Sequence, residues 1–329
     1  VYEVPEASTR IAMLMTSEVG IIDTLTGNPT DQLEYLTEEG FGATTENRSG
    51  VQQSIYFGGN YWQTKYHDSD ESVPIRPGFK PDYAHPWIGD PSNPAQFDKA
   101  TKVRWALSKG IDRQLITDTI TKPWGQPEYI PWFSVTLPEY KPEWVVPYDS
   151  DTAAKELADV GYENSSITLF FPYDMSKLNQ EVYEMVFAMW TEIGLSPSMS
   201  VMEYQALRPN LVERNLSDLY AWSGGNALND FNLPRGAVAE WSTWSEGDWN
   251  AGIEANIFFD TYDEIESNPR DKPVQIAANT KMAQYIFDTQ VAIGIVHIPF
   301  PIYFNPRKIE SWTILPSDNM NNLETIKLK

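Results

Sequence analysis

The chain has 329 residues, 41% of them hydrophobic, which is enough to bury a large core divided between two lobes. It has 24 Lys and Arg against 46 Asp and Glu, a formal net charge of −22 that argues against binding to nucleic acids or anionic membrane surfaces. Cysteine is absent, which excludes disulfides, thiolate nucleophiles and cysteine-ligated metals. No apolar run approaches the ~18 residues of a membrane-spanning helix.

The first elements alternate between helical and extended patterns. Residues 8–25 predict a short amphipathic helix followed by an apolar strand. The β-branched and aromatic residues at 54–57 predict a second strand, which breaks at Gly58. Proline and glycine punctuate residues 66–97, so we expect a long irregular connection there.

Residues 98–120 carry the clearest pair of helices. Apolar side chains recur at helical spacing over residues 100–107, and Asp98 is the expected N-cap. Gly110 is expected to end this helix, and Asp112 to cap a second one. From the residues alone, this is a helical corner that packs a core.

The middle of the chain predicts a β-α-β unit. A short helix at 147–162 precedes it. Residues 167–171 and 199–202 read as strands, and residues 176–193 between them as an amphipathic helix. Strands joined by a helical crossover are parallel, so we expect a mostly parallel sheet in this part of the chain.

The last third returns to a buried strand. Residues 205–214 predict a helix and residues 218–222 a strand that runs into a glycine-rich loop. The aromatic segment 235–271 is expected to be irregular. A helix at 273–290 and a buried strand at 291–302 follow.

No catalytic apparatus is visible. The three histidines, His67, His85 and His297, form no H-x-x-x-H pair, so we expect no metal site. The G-x-S-x-G, G-x-x-x-x-G-K-[ST] and G-x-G-x-x-G motifs are absent, which argues against a serine hydrolase and a nucleotide cofactor. Paired carboxylates facing across a cleft, as in a glycosidase, stay open. We therefore expect no enzyme, no catalytic residue and no cofactor.

The residue identities in the two helices predicted over residues 98–120 are more informative than their hydrophobic pattern. Val103-Arg104-Trp105-Ala106-Leu107 followed by Gly110-Ile111-Asp112-Arg113 resembles the V-R-x-A-L…I-D-R signature of the family 5 extracellular solute-binding proteins. These are the peptide, nickel and oligosaccharide receptors of ABC importers.

The resemblance implies an α/β fold of the two-lobed, class II periplasmic-binding-protein type, with mixed sheets flanked by helices. Residues 1–58 and 302–329 are expected in the first lobe and residues 59–301 in the second. Members of the family carry a long N-terminal section before the part that matches here, so the first lobe is expected to be incomplete.

The resemblance also points to a binding loop. In peptide-binding members a strand ends in W-x-x-D, whose aspartate pairs with the α-ammonium of the peptide. Here Trp222 matches the tryptophan, but Gly225 stands at the aspartate position, with Asn226 and Asp230 as nearby alternatives. This departure disfavours tight recognition of a free peptide N-terminus and leaves room for a neutral, hydroxyl-rich ligand.

Three further readings concern single residues. Trp222 is equally consistent with a core aromatic. Trp62, after the strand that leaves the first lobe, is expected to line the cleft, and Asn60 matches an asparagine near the end of that strand in the family. The predicted ligand-binding set is thus Asn60, Trp62, Trp222, Asn226 and Asp230.

The function implied by the resemblance is capture of a peptide or oligosaccharide between two lobes and its delivery to a membrane-embedded ABC permease. We expect a periplasmic or extracellular monomer that binds no nucleic acid, and leave a lipid anchor open. The alternatives are an extracellular carbohydrate-active enzyme with paired carboxylates and a chaperone or adhesion module.

Overall fold

The computed structural model describes residues 4–23, 30–44, 50–69, 71–72, 80–133, 140–175, 179–223, 232–245, 253–299, 301–313 and 322–329. Residues 23, 30–33, 44 and 232–235 are described by their backbone only.

Helices and strands alternate through the described residues. The α-helices are α1 (Ala7–Met15), α2 (Thr30–Glu38), α3 (Pro94–Lys109), α4 (Arg113–Ile116), α5 (Ser150–Asp159), α6 (Gln180–Glu192), α7 (Tyr204–Val212), α8 (Asn232–Trp241), α9 (Asn256–Ser267) and α10 (Lys272–Thr289). The strands are β1 (Ile21–Asp23), β2 (Gly42–Thr44), β3 (Gly50–Phe57), β4 (Gln126–Pro127), β5 (Ser166–Pro172), β6 (Ser196–Met202), β7 (Leu219–Trp222), β8 (Ala292–Pro299), β9 (Ile302–Phe304), β10 (Ile309–Ser311) and β11 (Lys327–Leu328). No described helix is both long and apolar enough to cross a membrane.

A small sheet joins the two ends of the chain. β9 lies between β1 and β2 and pairs antiparallel with both. The side chains beneath it form a core of their own, built from Ile11, Leu14, Ile22, Leu36 and Tyr303. β10 and β11 form a separate antiparallel pair.

A six-stranded sheet of order β4-β8-β3-β7-β5-β6 organises the rest. β5 is parallel to both β6 and β7, as the β-α-β unit predicts. The other three pairings are antiparallel, so the expectation of a mostly parallel sheet is wrong. The expectation fails because parallel neighbouring strands need a crossover connection, and only part of this sheet is built from such connections.

The chain passes between the two sheets twice. β2 belongs to the small sheet and β3 to the large one, while β8 belongs to the large sheet and β9 to the small one. β3 and β8 run side by side, with Ser54 opposite Gly294 and Tyr56 opposite Ala292. The lobe boundaries placed at residues 58 and 301 stay a prediction.

β3 is the centre of the large sheet and ends where the sequence indicates. All of its residues are buried. A Cβ on Gly58 would lie 2.4 Å from the carbonyl oxygen of Leu216, and Gly59 has a φ of +95° that disfavours any other residue. The glycine pair is therefore required by close packing and by the turn.

The helical corner starts earlier than predicted. Asn93, not Asp98, is the N-cap of α3, and its side chain accepts a hydrogen bond from the backbone N–H of Gln96. Pro94 at the first helical position favours this start. Gly110 ends α3 and Asp112 caps α4 by accepting from the N–H of Leu115, as predicted.

The two arginines of the corner are buried and bind carbonyl groups. Arg104 Nε donates to the Thr289 carbonyl oxygen at 2.8 Å, which ties α3 to the end of α10. Arg113 Nε donates to the carbonyl oxygens of Gly294 at 2.8 Å and Glu128 at 3.0 Å, which ties α4 to β8. The two arginines of the Val103–Arg113 signature thus anchor α3 and α4 to the end of α10 and to β8.

The aromatic segment predicted to be irregular contains two helices, α8 and α9. Phe258, Phe259, Tyr262 and Ile265 lie buried on one face of α9, at the spacing of a helix. The prediction is wrong because the many aromatic residues of segment 235–271 hide the helical spacing of the buried ones. The residues between the two helices also have no helical pattern, so the segment as a whole does not show one.

Candidate functional site

A buried carboxylate lies beside Trp222, the tryptophan of the predicted binding set. Glu240, on α8, is only 2% exposed and accepts three hydrogen bonds from aromatic side chains. Trp222 Nε1 donates to Oε1 at 2.7 Å, while Tyr56 Oη and Trp132 Nε1 donate to Oε2 at 2.5 and 2.6 Å. We call these four residues the Glu240 cluster.

Strand pairing places two of the donors on one face. Ser54 of β3 lies opposite Trp222 of β7, and Tyr56 lies opposite Tyr220. Tyr56 and Trp222 are therefore diagonal neighbours, and their ring centroids lie 6.4 Å apart. Both donors point to the Glu240 side chain, since α8 packs its C-terminal turn against this face.

Trp132 reaches the same carboxylate from a loop. Its backbone adopts a left-handed φ of +71°, which costs energy for a bulky residue. Its ring lies against α8 so closely that a Cβ on Gly236 would be 2.3 Å from ring carbons Cη2 and Cζ3. A glycine in the helix and a strained loop residue together allow this contact.

A second buried carboxylate is linked to the cluster through Gln52. The Gln52 side chain accepts from the backbone N–H of Trp132 at 2.6 Å and donates to Glu128 Oε2 at 3.1 Å. Glu128 Oε1 accepts from the backbone N–H groups of Tyr129 and Ile130. One continuous polar network therefore crosses the large sheet from Glu128 to Trp222.

Burial shifts the titration of both carboxylates. Loss of solvation raises the pKa of Glu240 from 4.5 to about 7, although its three hydrogen-bond donors act to lower the pKa. Burial likewise raises the pKa of Glu128 to about 8, opposed by its backbone and Gln52 hydrogen bonds and by the charge of Arg113. Glu240 and Glu128, which belong to the same hydrogen-bond network, thus both change charge near neutral pH.

These pKa values predict that the fold is stabilised by mild acid. Because the folded chain binds the Glu240 proton more tightly than the unfolded chain, this contribution is complete below about pH 4.5 and is lost as the pH rises through about 7. It amounts to about 3 kcal/mol. We expect the melting temperature to fall from pH 5 to pH 8, and Glu240→Gln to flatten that fall. The exposed Glu192→Gln is the control, and equal slopes in the two variants would contradict the assignment.

A buried ion pair supports the turn after β3. Arg214 Nε lies 2.6 Å from Glu254 Oε1, and both side chains are almost wholly buried. Glu254 Oε2 also accepts from the backbone N–H groups of Trp62 and Gln63, each at 2.5 Å. The pair therefore fixes the path of the chain as it leaves β3.

The structure brings only part of the predicted set together. Trp222 is 3% exposed and belongs to the Glu240 cluster. Asn60 is buried, and its Oδ1 accepts from the Gly89 N–H at 3.0 Å, which ties the turn after β3 to the segment before α3. Trp62 is half-buried against the core. Asn226 and Asp230 lie outside the described residues, so the binding roles of all five stay a prediction.

Sequence reasoning missed Glu240, Trp132 and Glu128. An isolated glutamate at the end of a helix carries no local sign that it is buried, and Trp132 lies in a proline-rich segment of no defined pattern. The only available signal was the excess of tryptophans, whose indole N–H groups need acceptors when buried.

The described residues offer no metal site. No group of three or more His, Asp or Glu side chains within them is arranged to hold a metal. His67 Nε2 lies 3.0 Å from Asp263 Oδ2, and His85 Nε2 lies 3.6 Å from Asp82 Oδ2. These are single carboxylate partners at the surface.

An open cavity lies elsewhere, beside the small sheet. It has a volume of about 210 Å³, and Ser17, Phe41, Asn305 and Arg307 contribute to its walls. No member of the Glu240 cluster lines it.

Comparison with known proteins places this geometry in a family. A family profile described as bacterial extracellular solute-binding proteins, family 5, middle, matches residues 1–245. Heme-binding protein A of Haemophilus influenzae is 28% identical over 142 residues, which cover 41% of this chain and 26% of that protein.

Solved structures resemble the whole described fold. HbpA2 from Haemophilus parasuis matches with a TM-score of 0.72 and 14% identity, over 99% of this chain and 57% of that one. DppA from Helicobacter pylori, in complex with the peptide STSA, matches with a TM-score of 0.65 and 16% identity, over 100% of this chain and 56% of that one. The chain thus spans little more than half the length of these two relatives.

These likenesses confirm the predicted fold class, a two-lobed α/β periplasmic binding protein. The matched family consists of solute-binding proteins rather than enzymes, in agreement with the expectation of no catalysis. The chain belongs to the bacterial extracellular solute-binding proteins of family 5.

Proposed function

We propose that this protein captures a small solute between two lobes and delivers it to the permease of an ABC importer. The observation that carries the proposal is the paired crossing of β3 and β8, each of which continues into or from the small sheet. Two bodies joined by paired strands can close around a ligand, and a ligand that contacts both bodies stabilises the closed state.

The ligand class we favour is a peptide. DppA from Helicobacter pylori, a distant structural relative, holds a peptide. Trp222 stands at the tryptophan of the family's peptide motif, and Glu240 places a carboxylate directly behind it. This carboxylate is hydrogen-bonded to Trp222, three residues before Gly225, which stands in the sequence where the family's motif has its aspartate.

An oligosaccharide is the second candidate. It is favoured by that same replacement, because a loop without the aspartate no longer offers a direct partner to a peptide ammonium. The half-buried Trp132 side chain of the cluster suits stacking on a sugar ring. The two candidates differ in whether the ligand carries a positive charge.

Partners and location follow from the same proposal. The protein works in the periplasm or outside the cell, as a monomer, and meets a membrane-embedded permease. Its net charge of −22 disfavours nucleic acid as a partner.

Thermal-shift measurements on the full protein test this function. A ligand at 100 times its dissociation constant adds about 2.7 kcal/mol to the free energy of unfolding, because it binds only the folded state. We expect tri- to pentapeptides to raise the melting temperature by about 5 °C, and di- and trisaccharides to leave it unchanged. A shift with saccharides alone would select the second candidate, and turnover of chromogenic glycosides would overturn the receptor function.

A further inference from the structure

Trp132 is the member of the Glu240 cluster that remains partly exposed. Tyr56 and Trp222 are buried, whereas the Trp132 side chain is only half-buried against the core. Its two nitrogen atoms are both committed, Nε1 to Glu240 and the backbone N–H to Gln52. Its indole ring is therefore held in one orientation before any ligand arrives.

Holding the ring costs energy that packing alone does not explain. The left-handed backbone of Trp132 is strained, and the site requires a glycine at position 236 to admit the ring. Strain of this kind concentrates at ligand-contacting residues.

The charge behind the ring decides what it attracts. The face of an indole attracts cations, and tryptophan is the strongest aromatic partner for them. Here the indole N–H donates to the Glu240 carboxyl group at 2.6 Å, which adds negative potential on the ring side above about pH 7, where Glu240 is ionised. No described lysine or arginine forms an ion pair with Glu240 that would neutralise this charge.

We infer that the exposed part of Trp132 is a binding platform for a cationic group of the solute, an ammonium or a guanidinium, with Glu240 supplying the charge behind the ring. This inference rests on the proposed peptide-binding function and narrows it to ligands that carry positive charge. Long-range attraction by a chain of net charge −22 acts in the same direction.

Isothermal titration of the full protein with matched peptides tests the platform. The probes are lysine-containing tri- and pentapeptides, and the same peptides acetylated at every amine. We expect the wild type to bind the cationic forms more tightly. Trp132→Leu should weaken binding of the cationic forms about tenfold and change binding of the acetylated forms less than twofold.

Two further variants separate the ring from the charge. Trp132→Phe keeps an aromatic face but loses the N–H to Glu240, and we expect an intermediate loss for the cationic forms. Glu240→Gln keeps the ring and removes the charge, and should reduce the preference for cationic forms severalfold. Trp105→Leu is the matched control, because Trp105 is also half-buried but donates its indole N–H to a backbone carbonyl oxygen, that of Asp288, and not to a carboxylate. Circular dichroism verifies that each variant is folded.

The outcomes distinguish this inference from the function on which it rests. Peptides that bind the wild type without regard to charge would overturn the inference and leave the proposed function standing. Equal losses for cationic and acetylated probes in Trp132→Leu and Trp132→Phe would also overturn it, because they indicate a purely structural role. Failure of every peptide to bind the wild type would overturn the inference together with the peptide as the proposed ligand class.

Discussion

Replacing Glu254 by alanine is expected to lower the free energy of unfolding by about 3–5 kcal/mol. The change leaves the Arg214 guanidinium buried without its partner carboxylate, and burial of an unpaired charge is costly. It also removes the acceptor of the Trp62 and Gln63 backbone N–H groups, which direct the chain out of β3. Urea denaturation followed by circular dichroism measures the loss.

Two controls make the Glu254 experiment specific. Asp159→Ala removes one partner of the exposed Lys155–Asp159 pair, which has a similar separation of 2.7 Å, and should leave stability unchanged. The double variant Arg214→Met with Glu254→Leu should regain much of the lost stability, because it removes both buried charges together. If Glu254→Ala were no more harmful than Asp159→Ala, the pair would not be the buried anchor described here.

Replacing Arg113 by methionine is expected to cost about 3 kcal/mol or more. Methionine fills a similar volume, but it donates no hydrogen bond to the buried carbonyl oxygens of Gly294, Glu128 and Ser108. The Ser108 carbonyl oxygen keeps the backbone N–H of Ile111 as a donor, whereas each acceptor left without a donor carries a desolvation penalty of about 1–3 kcal/mol. The Glu128 carboxylate also loses the nearby positive charge that opposes the rise in its pKa.

The Arg113 prediction is checked by chemical denaturation against two variants. Arg270→Met changes an exposed arginine in the turn between α9 and α10 and should stay within about 0.5 kcal/mol of the wild type. Arg113→Lys should recover only part of the loss, because one ammonium cannot replace the fork of donors that reaches several carbonyl groups. A fully stable Arg113→Met would show that these carbonyl groups do not depend on the guanidinium.

In the Glu240 cluster, the carboxylate beside Trp222 has a different origin from the aspartate of the W-x-x-D motif that Trp222 resembles. The described part of the chain places a carboxylate behind Trp222, from helix α8, whereas the motif would place one after it in the loop. Under the proposed peptide-binding function, we expect a carboxylate in that position to act through the indole rings that donate hydrogen bonds to it. The ligand tests on Trp132 and Glu240 therefore ask whether charge transmitted through an indole is sufficient to select a solute.

Much of the local structure was predictable from the residues. Asp112 caps α4 by accepting from Leu115, three residues on, as predicted. Gly161 adopts a φ of +76° just after α5, a conformation that glycine commonly supplies at a helix end. Gly58 ends β3 as its position suggests. Such features depend on partners within about four residues, or on a backbone conformation that few residue types tolerate.

The sequence by itself determined the family, through the Val103–Arg113 motif, and also most helix ends and the β-α-β unit. What only the tertiary structure decided is the antiparallel half of the large sheet and the identity of the buried carboxylates. Trp222, Trp132 and Tyr56 meet Glu240 from segments 18, 108 and 184 residues away in the chain. The acceptor of a buried indole depends on which distant elements pack together, and no pattern within a few residues carries that information.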